Sequence, residues 1–138
     1  MIREILKRYE FPTQKNSIDI IVSIESKLKN KLPDDYKIYA LNFGEHEIVI
    51  NDQSVILWDV KELLQANEDY NVKEECPDIF LIGSNGGGEG IALDYVKDDN
   101  PAIVLVPLIG MEREDIVEIG DSFTDMIVRL EAGKSWFD

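Results

Sequence analysis

A run of glycines in residues 83–90 is the feature of the sequence that most resembles a site for chemistry. It reads Gly-Ser-Asn-Gly-Gly-Gly-Glu-Gly, and glycine-rich loops can bring backbone N–H groups against a phosphate. A P-loop would need a Lys followed by Ser or Thr, and a dinucleotide fingerprint would need a helix after the glycines. Here Glu89 adds a negative charge and the apolar residues 91–93 continue as a strand. The pattern therefore favours a tight turn between strands, with residues at positive φ, over a phosphate site.

The single cysteine and the single histidine are the next candidates for catalysis. One cysteine excludes an internal disulfide and a multi-cysteine zinc site, which suits a cytoplasmic protein. A nucleophilic cysteine needs an activating base, and His46 lies in the polar stretch 44–47, where we expect an exposed turn residue. A buried thiol at Cys76 is thus favoured over a Cys–His pair. Ser84 and Ser122 lack the Gly-x-Ser-x-Gly elbow of serine hydrolases.

Charge is the most informative bulk property. The chain has 28 acidic and 14 basic residues, a formal net charge of −14. Residues 1–37 carry eight Lys or Arg and six Asp or Glu, whereas residues 38–138 carry six and twenty-two. Such a surface repels nucleic acid and anionic lipid, so we expect no direct nucleic-acid or membrane binding. An acidic surface would instead attract a basic protein. The alternative is that the acidity serves only to keep the protein soluble.

Clustered carboxylates in two loops could in principle serve acid–base catalysis or bind a hard cation. The clusters are Asp98 with Asp99, and Glu112 with Glu114 and Asp115. Neither segment has the spacing of a calcium-binding loop. Solvated turns are favoured, and the sequence predicts no catalytic residue, no metal site and no cofactor.

Helices are predicted before and after a block of strands. An apolar stripe of Ile18, Ile21, Val22 and Leu28 after a Ser17 cap predicts a helix over 17–30. Further helices are predicted over 33–43, burying Tyr36, Tyr39, Ala40 and Phe43, over 60–67, and over 123–130, with a cap at Ser122 and a stop at Gly133.

Six strands are predicted between these helices. Two β-prone runs within 47–58 indicate a hairpin, residues 68–77 are predicted as a polar loop, and further strands are expected at 79–84, 90–95, 102–107 and 116–119. Short connections favour antiparallel pairing. The order predicts a single α+β domain over residues 1–138, with a mostly antiparallel twisted β-sheet flanked by helices.

The longest apolar run, 102–109, is too short to span a membrane, and the charged N-terminus does not resemble a secretion signal, so we expect a cytoplasmic protein.

Five short motifs in order carry a family resemblance. They are Leu-Pro-Asp-Asp-Tyr at 32–36, Trp-Asp at 58–59, the glycine run at 83–89, Val-Pro-Leu-Ile-Gly at 106–110 and Ile-Gly-Asp-Ser-Phe at 119–123. This set resembles the SUKH superfamily in its Smi/Knr branch. The resemblance implies an α+β fold, no cofactor and no catalytic residues. Bacterial members look like immunity proteins that neutralise a toxin domain, often a nuclease, delivered between neighbouring cells. A fungal branch regulates cell-wall synthesis through protein contacts.

The preferred hypothesis is a toxin-neutralising protein, not an enzyme, whose acidic face covers a basic cleft on a cognate toxin. The residues expected at the contact are Asn85, Glu89, Asp94, Asp98, Asp99, Glu112, Glu114 and Asp115. An intracellular regulatory or scaffold domain is the first alternative. A small-molecule binder that uses the glycine run with Asn85 and Glu89 is the second.

Overall fold

The fold combines six α-helices with one six-stranded sheet. A computed structural model describes residues 1–137. The helices are α1 (Ile2–Arg8), α2 (Ile18–Leu28), α3 (Asp34–Asn42), α4 (Leu63–Asp69), α5 (Val72–Glu75) and α6 (Phe123–Glu131). The strands are β1 (His46–Ile50), β2 (Gln53–Leu57), β3 (Ile79–Ser84), β4 (Glu89–Asp94), β5 (Ala102–Pro107) and β6 (Val117–Gly120). The predicted α+β class is confirmed.

The strands lie in the sheet in their sequence order, each antiparallel to the next. This meander follows from the short connections, because a parallel neighbour would need a long crossover. The β1–β2 hairpin closes through Asn51 and Asp52, whose φ values of 46° and 69° are both positive. Two consecutive residues of this kind form the type I′ turn that matches the twist of paired strands.

One face of the sheet packs against a helix layer formed by α1, α2, α3 and α6. The core between them contains apolar side chains from every strand, such as Leu57, Leu93 and Ile103, together with the aromatic rings of Tyr36, Tyr39 and Phe123. A hydrogen-bonded link joins two of the helices, since the Asp35 carboxylate accepts from both the N–H and the hydroxyl of Thr124 at 2.8 Å.

The second face of the sheet is covered over part of its width. A smaller core of Leu81, Ala92 and Val104 packs against Val72 and Cys76 of the α5 region and against Met111. We call α5 and residues 108–116 the covering layer, whereas Leu63 of α4 is buried in the larger core. Asn67 fixes α4 to β3, because its side chain accepts from the N–H of Leu81 at 2.8 Å and donates to the same residue's carbonyl at 3.0 Å.

Two expectations about the helices were wrong, and one helix was not predicted. Helix α2 buries Ile21 of the predicted stripe together with Ile24, whereas Ile18 and Val22 are 57% and 60% exposed, because the face that meets the core passes through Ile21 and Ile24. Residues 2–8, for which no helix was predicted, form α1. The predicted polar loop 68–77 contains the end of α4 and the whole of α5, where Val72 is buried.

Candidate functional site

The glycine run forms a turn that is fixed by its own side chains. Residues 85–88 connect β3 to β4, and Gly86 and Gly88 have φ values of 75° and 96°. The amide oxygen of Asn85 accepts from the N–H groups of Gly87 at 2.9 Å and Glu89 at 3.3 Å, while its amide nitrogen donates to the Glu89 carboxylate at 2.9 Å. The predicted turn is therefore confirmed. Asn85 occupies two of the N–H donors that a phosphate would need.

Asp94 lies at the end of β4, beneath the covering layer. Its carboxylate accepts from the Arg113 guanidinium at 2.6 Å, and the same guanidinium donates to the carbonyl of Pro77 at 3.3 Å. Only 8% of the Asp94 side chain is exposed, against 40% for Arg113. Asp94 therefore offers little surface to a partner and instead holds residues 108–116 against the sheet.

Three of the predicted contact residues share the surface of the covering layer. Glu112, Glu114 and Asp115 are all exposed. Hydrogen bonding to Glu114 raises the pKa of the Glu112 carboxyl, and the charges of Glu114, Asp115 and Glu75 act in the same direction. We call Glu75, Glu112, Glu114 and Asp115 the acidic cluster. Sequence reasoning missed Glu75, because the helix that carries it was predicted as a loop.

The remaining pair, Asp98 and Asp99, lies in the exposed loop between β4 and β5. Asp98 accepts from the N–H of Asn100 at 2.8 Å. Asp99 lines a shallow groove together with Val22, Lys29 and other residues near the end of α2. The fold thus places Asp99 beside the helix layer, whereas the acidic cluster lies on the opposite side of the sheet.

His46 and Cys76 lie on opposite faces of the sheet. His46 is half-buried, with its ring 5.1 Å from that of Phe11, so the expectation of an exposed turn residue was wrong. The reason is that His46 begins β1 and shares its inward face with Ile48 and Ile50. Cys76 is buried in the smaller core, as predicted, and burial raises the pKa of its thiol. His46 is therefore not placed to act as a base for Cys76.

Other kinds of site find little support in the part of the chain that the structure describes. Residues 1–137 contain no group of three His, Cys, Asp or Glu side chains arranged to hold a metal ion. Within the same range, no helix has both the length and the hydrophobicity to cross a membrane. Two surface depressions, one beside Arg129 and Trp136 and one beside Val22 and Lys29, are not lined by Asn85 or Glu89.

Several motif residues that carried the family resemblance have structural roles. Asp59 accepts from the N–H of Lys61 at 2.9 Å and from the Gln14 side chain at 2.8 Å. Ser122 caps α6 by accepting from the N–H of Asp125 at 3.0 Å. Polar side chains that satisfy the free N–H groups at helix starts stabilise the fold. These motifs therefore identify the fold more directly than they identify a binding surface.

Comparison with known families agrees with the motifs. The chain matches the model of the SMI1 / KNR4 family (SUKH-1) over residues 15–129. No curated protein matches the chain. Because the match covers most of the chain, from before α2 into α6, the protein belongs to the SMI1 / KNR4 family (SUKH-1).

Proposed function

We propose that this protein is a cytoplasmic immunity protein that neutralises a cognate toxin by direct protein–protein contact. Family membership supports the general class. The choice of a basic partner rests on the acidic cluster. Its exposed carboxylates lie together on the covering layer, where they outnumber the cations. A toxin that acts on nucleic acid must be basic where it holds its substrate. An acidic inhibitor would compete with that substrate and associate rapidly.

The distribution of charge over the fold supports a directed encounter. Residues 60–78 contain six carboxylates and two lysines, and residues 108–118 contain four carboxylates and one arginine. Residues 1–37, which supply most of the helix layer, contain eight basic and six acidic residues. The acidic side of the molecule would therefore face a basic partner during approach, with the helix layer pointing away.

The proposal includes no catalytic step by this protein. Cys76 and His46 are separated by the sheet, and Asn85 and Glu89 hydrogen-bond to each other in the turn. Neutralisation would then depend on covering the toxin, without chemical modification of it.

A competition experiment between sister cells tests this function. Cells that lack the gene are expected to lose viability when mixed with cells that carry the intact locus, and to grow normally alone. Restoring the gene should restore survival. A growth or cell-wall defect in the absence of competitors, without sensitivity to them, would contradict the immunity role and favour the regulatory alternative.

Charge reversal tests the role of the acidic cluster. Replacing Glu112, Glu114 and Asp115 by lysine is expected to slow association with the toxin by roughly tenfold or more at low salt, with the difference shrinking as salt screens the charges. The control reverses Asp98 and Asp99, which are also exposed but lie in the loop between β4 and β5, where a smaller effect for each reversed charge is expected. Unchanged association in the triple variant would remove the cluster from the interface.

A further inference from the structure

The covering layer leaves part of the second sheet face open. Helix α5 packs on β3, and residues 108–116 extend over β4 and β5. On the same face of β1 and β2, Val49 is 61% exposed and Ile56 is half-buried. The solvated face of an antiparallel sheet usually carries polar residues, so an apolar side chain as exposed as Val49 departs from that pattern.

The glycine turn continues this open surface towards the loop after β5. Gly86 packs beside Ile56, since a Cβ at Gly86 would lie 3.5 Å from the Ile56 Cδ1. The carbonyl of Gly88 accepts from the N–H of Leu108 at 3.0 Å. The next residue, Ile109, is 91% exposed, although the buried Met111 follows two positions later. We call Val49, Ile56, residues 86–88 and Ile109 the open strip.

The open strip is rich in acceptors and has no cation in its own segments. Residues 46–56, 85–88 and 106–112 contain three carboxylates, at Glu47, Asp52 and Glu112, and no Lys or Arg, and Arg113, which follows, is paired with Asp94. The carbonyl groups of Gly86 and Gly87 accept no hydrogen bond from the described residues. Their N–H groups donate to the side chains of the residues two positions earlier. A ligand of this surface must therefore supply donors or positive charge, together with apolar carbon.

Gly87 is a glycine that the fold does not require. Its φ is not positive, and the nearest atoms to a Cβ there would be the side-chain oxygens of Asn85 and Glu89, both at 3.6 Å, an ordinary contact distance. Alanine at such a position should stabilise the protein slightly, by restricting the unfolded chain. The missing side chain instead leaves the backbone open to close approach by another molecule.

We propose that the open strip is the surface on which the protein partner docks, and that the partner presents an apolar side chain flanked by Lys or Arg. This inference rests on the proposed function, and it places the contact beside the acidic cluster on the same side of the sheet. A second copy of this chain is a poor occupant, because it would bring the carboxylates beside one strip against those beside the other. A basic partner replaces that repulsion with attraction.

Site-specific photo-crosslinking in the native cells tests the placement. A benzophenone amino acid is introduced at position 49 or 109 of the full chain, and at positions 18 and 22 of α2 as controls, and crosslinked proteins are identified by mass spectrometry. We expect positions 49 and 109 to capture a basic toxin that the controls do not capture. Capture of that toxin from α2 alone, or no crosslink from 49 and 109, would overturn the open strip. A crosslink from 49 and 109 to a basic protein that is not a toxin would support the strip and contradict the immunity function.

Matched substitutions then test the contact. The probe is the partner identified by crosslinking, purified in its unmodified form, and its affinity for each variant is measured. Val49 and Val22 are the same residue type with nearly equal exposure, 61% and 60%, on opposite sides of the fold. Val49→Lys is expected to weaken binding by roughly tenfold or more, and Val22→Lys by less than about twofold. If Val49→Lys misfolds, Gly87→Ala still tests the contact. The Gly87→Ala variant should bind more weakly while its urea midpoint stays the same or rises, so its loss of binding would not be due to unfolding. Equal affinities for wild type, Gly87→Ala and Val49→Lys would overturn the proposal.

Discussion

Replacement of Arg113 by glutamine is expected to destabilise the covering layer by a measurable amount. The guanidinium donates to the Asp94 carboxylate at 2.6 Å and to the Pro77 carbonyl at 3.3 Å. In the variant the Asp94 carboxylate, whose side chain is only 8% exposed, would lose its cation. Ile109 and three of the four residues of the acidic cluster belong to the same loop as Arg113, so a looser loop should also weaken partner binding.

The loss of stability in Arg113→Gln can be estimated from the solvent exposure of the Arg113 side chain. Hydrogen bonds to charged groups contribute about 1.5–3 kcal/mol, and breaking a fully buried ion pair costs about 3–5 kcal/mol. Arg113 retains 40% of its side-chain surface in water, so solvent screening places the cost nearer the lower range, at about 2 kcal/mol. For a chain of this length, that loss corresponds to a fall in melting temperature of roughly 6–10 °C.

Urea unfolding of the wild type, Arg113→Gln, Asp94→Asn and the double variant measures the pair. We expect the double variant to be less destabilised than the sum of the two single variants, because the second substitution removes a charge that has already lost its partner. A cost below about 0.5 kcal/mol for Arg113→Gln, or simple additivity in the double variant, would refute this reasoning.

Further predictions concern the buried tyrosines and one glycine. The Tyr36 hydroxyl is buried without a hydrogen-bond partner among the described residues, whereas that of Tyr39 donates to the Trp58 carbonyl at 2.7 Å. Tyr36→Phe should therefore leave the urea midpoint unchanged or higher, and Tyr39→Phe should lower the free energy of unfolding by about 1 kcal/mol; the reverse order would contradict the hydrogen-bond assignment. Burial raises the pKa of Tyr36, Tyr39 and Tyr95 above the ordinary value. The free energy of unfolding should therefore be constant below the unfolded pKa of about 10 and fall at higher pH, by up to about 4 kcal/mol per pH unit for the three hydroxyls together. Urea titrations at rising pH check that slope, and a flat profile above pH of about 10 would contradict the burial. Gly83→Ala places a Cβ 2.2 Å from a carbonyl oxygen of β2 and should abolish soluble expression or cost more than about 3 kcal/mol; a stable variant would show that β2 and β3 pair differently.

The strands and α6 could be predicted because their patterns are local. Val55, Leu57 and the runs at 79–84 and 102–107 have the β-branched and aliphatic composition of strands. Helix α6 has both an apolar stripe and a capping serine. By contrast, α5 contains only four residues, too few for a periodic pattern. In α2, two apolar stripes compete, and only packing against the sheet decides that Ile24 is buried and Val22 is exposed.

The candidate site was less predictable than the fold, because its contacts join distant parts of the chain. The sequence identified the acidic loops, but it could not show that Asp94 pairs with a guanidinium 19 positions away. It also could not bring Glu75 near Glu112, nor show that Ile109 faces solvent between the half-buried Leu108 and the buried Met111. Each of these facts depends on the path of residues 108–116 over the sheet.

Titration of the toxin's activity with this protein tests the central claim most directly. The probe is the purified product of a toxin gene adjacent to the gene for this protein, assayed on its own substrate. We predict that activity falls in proportion to added protein and reaches zero at an equimolar ratio, and that the open-strip variant Val49→Lys shifts the curve to higher concentration. Full toxin activity in the presence of a large excess of the wild-type protein would contradict neutralisation by direct contact.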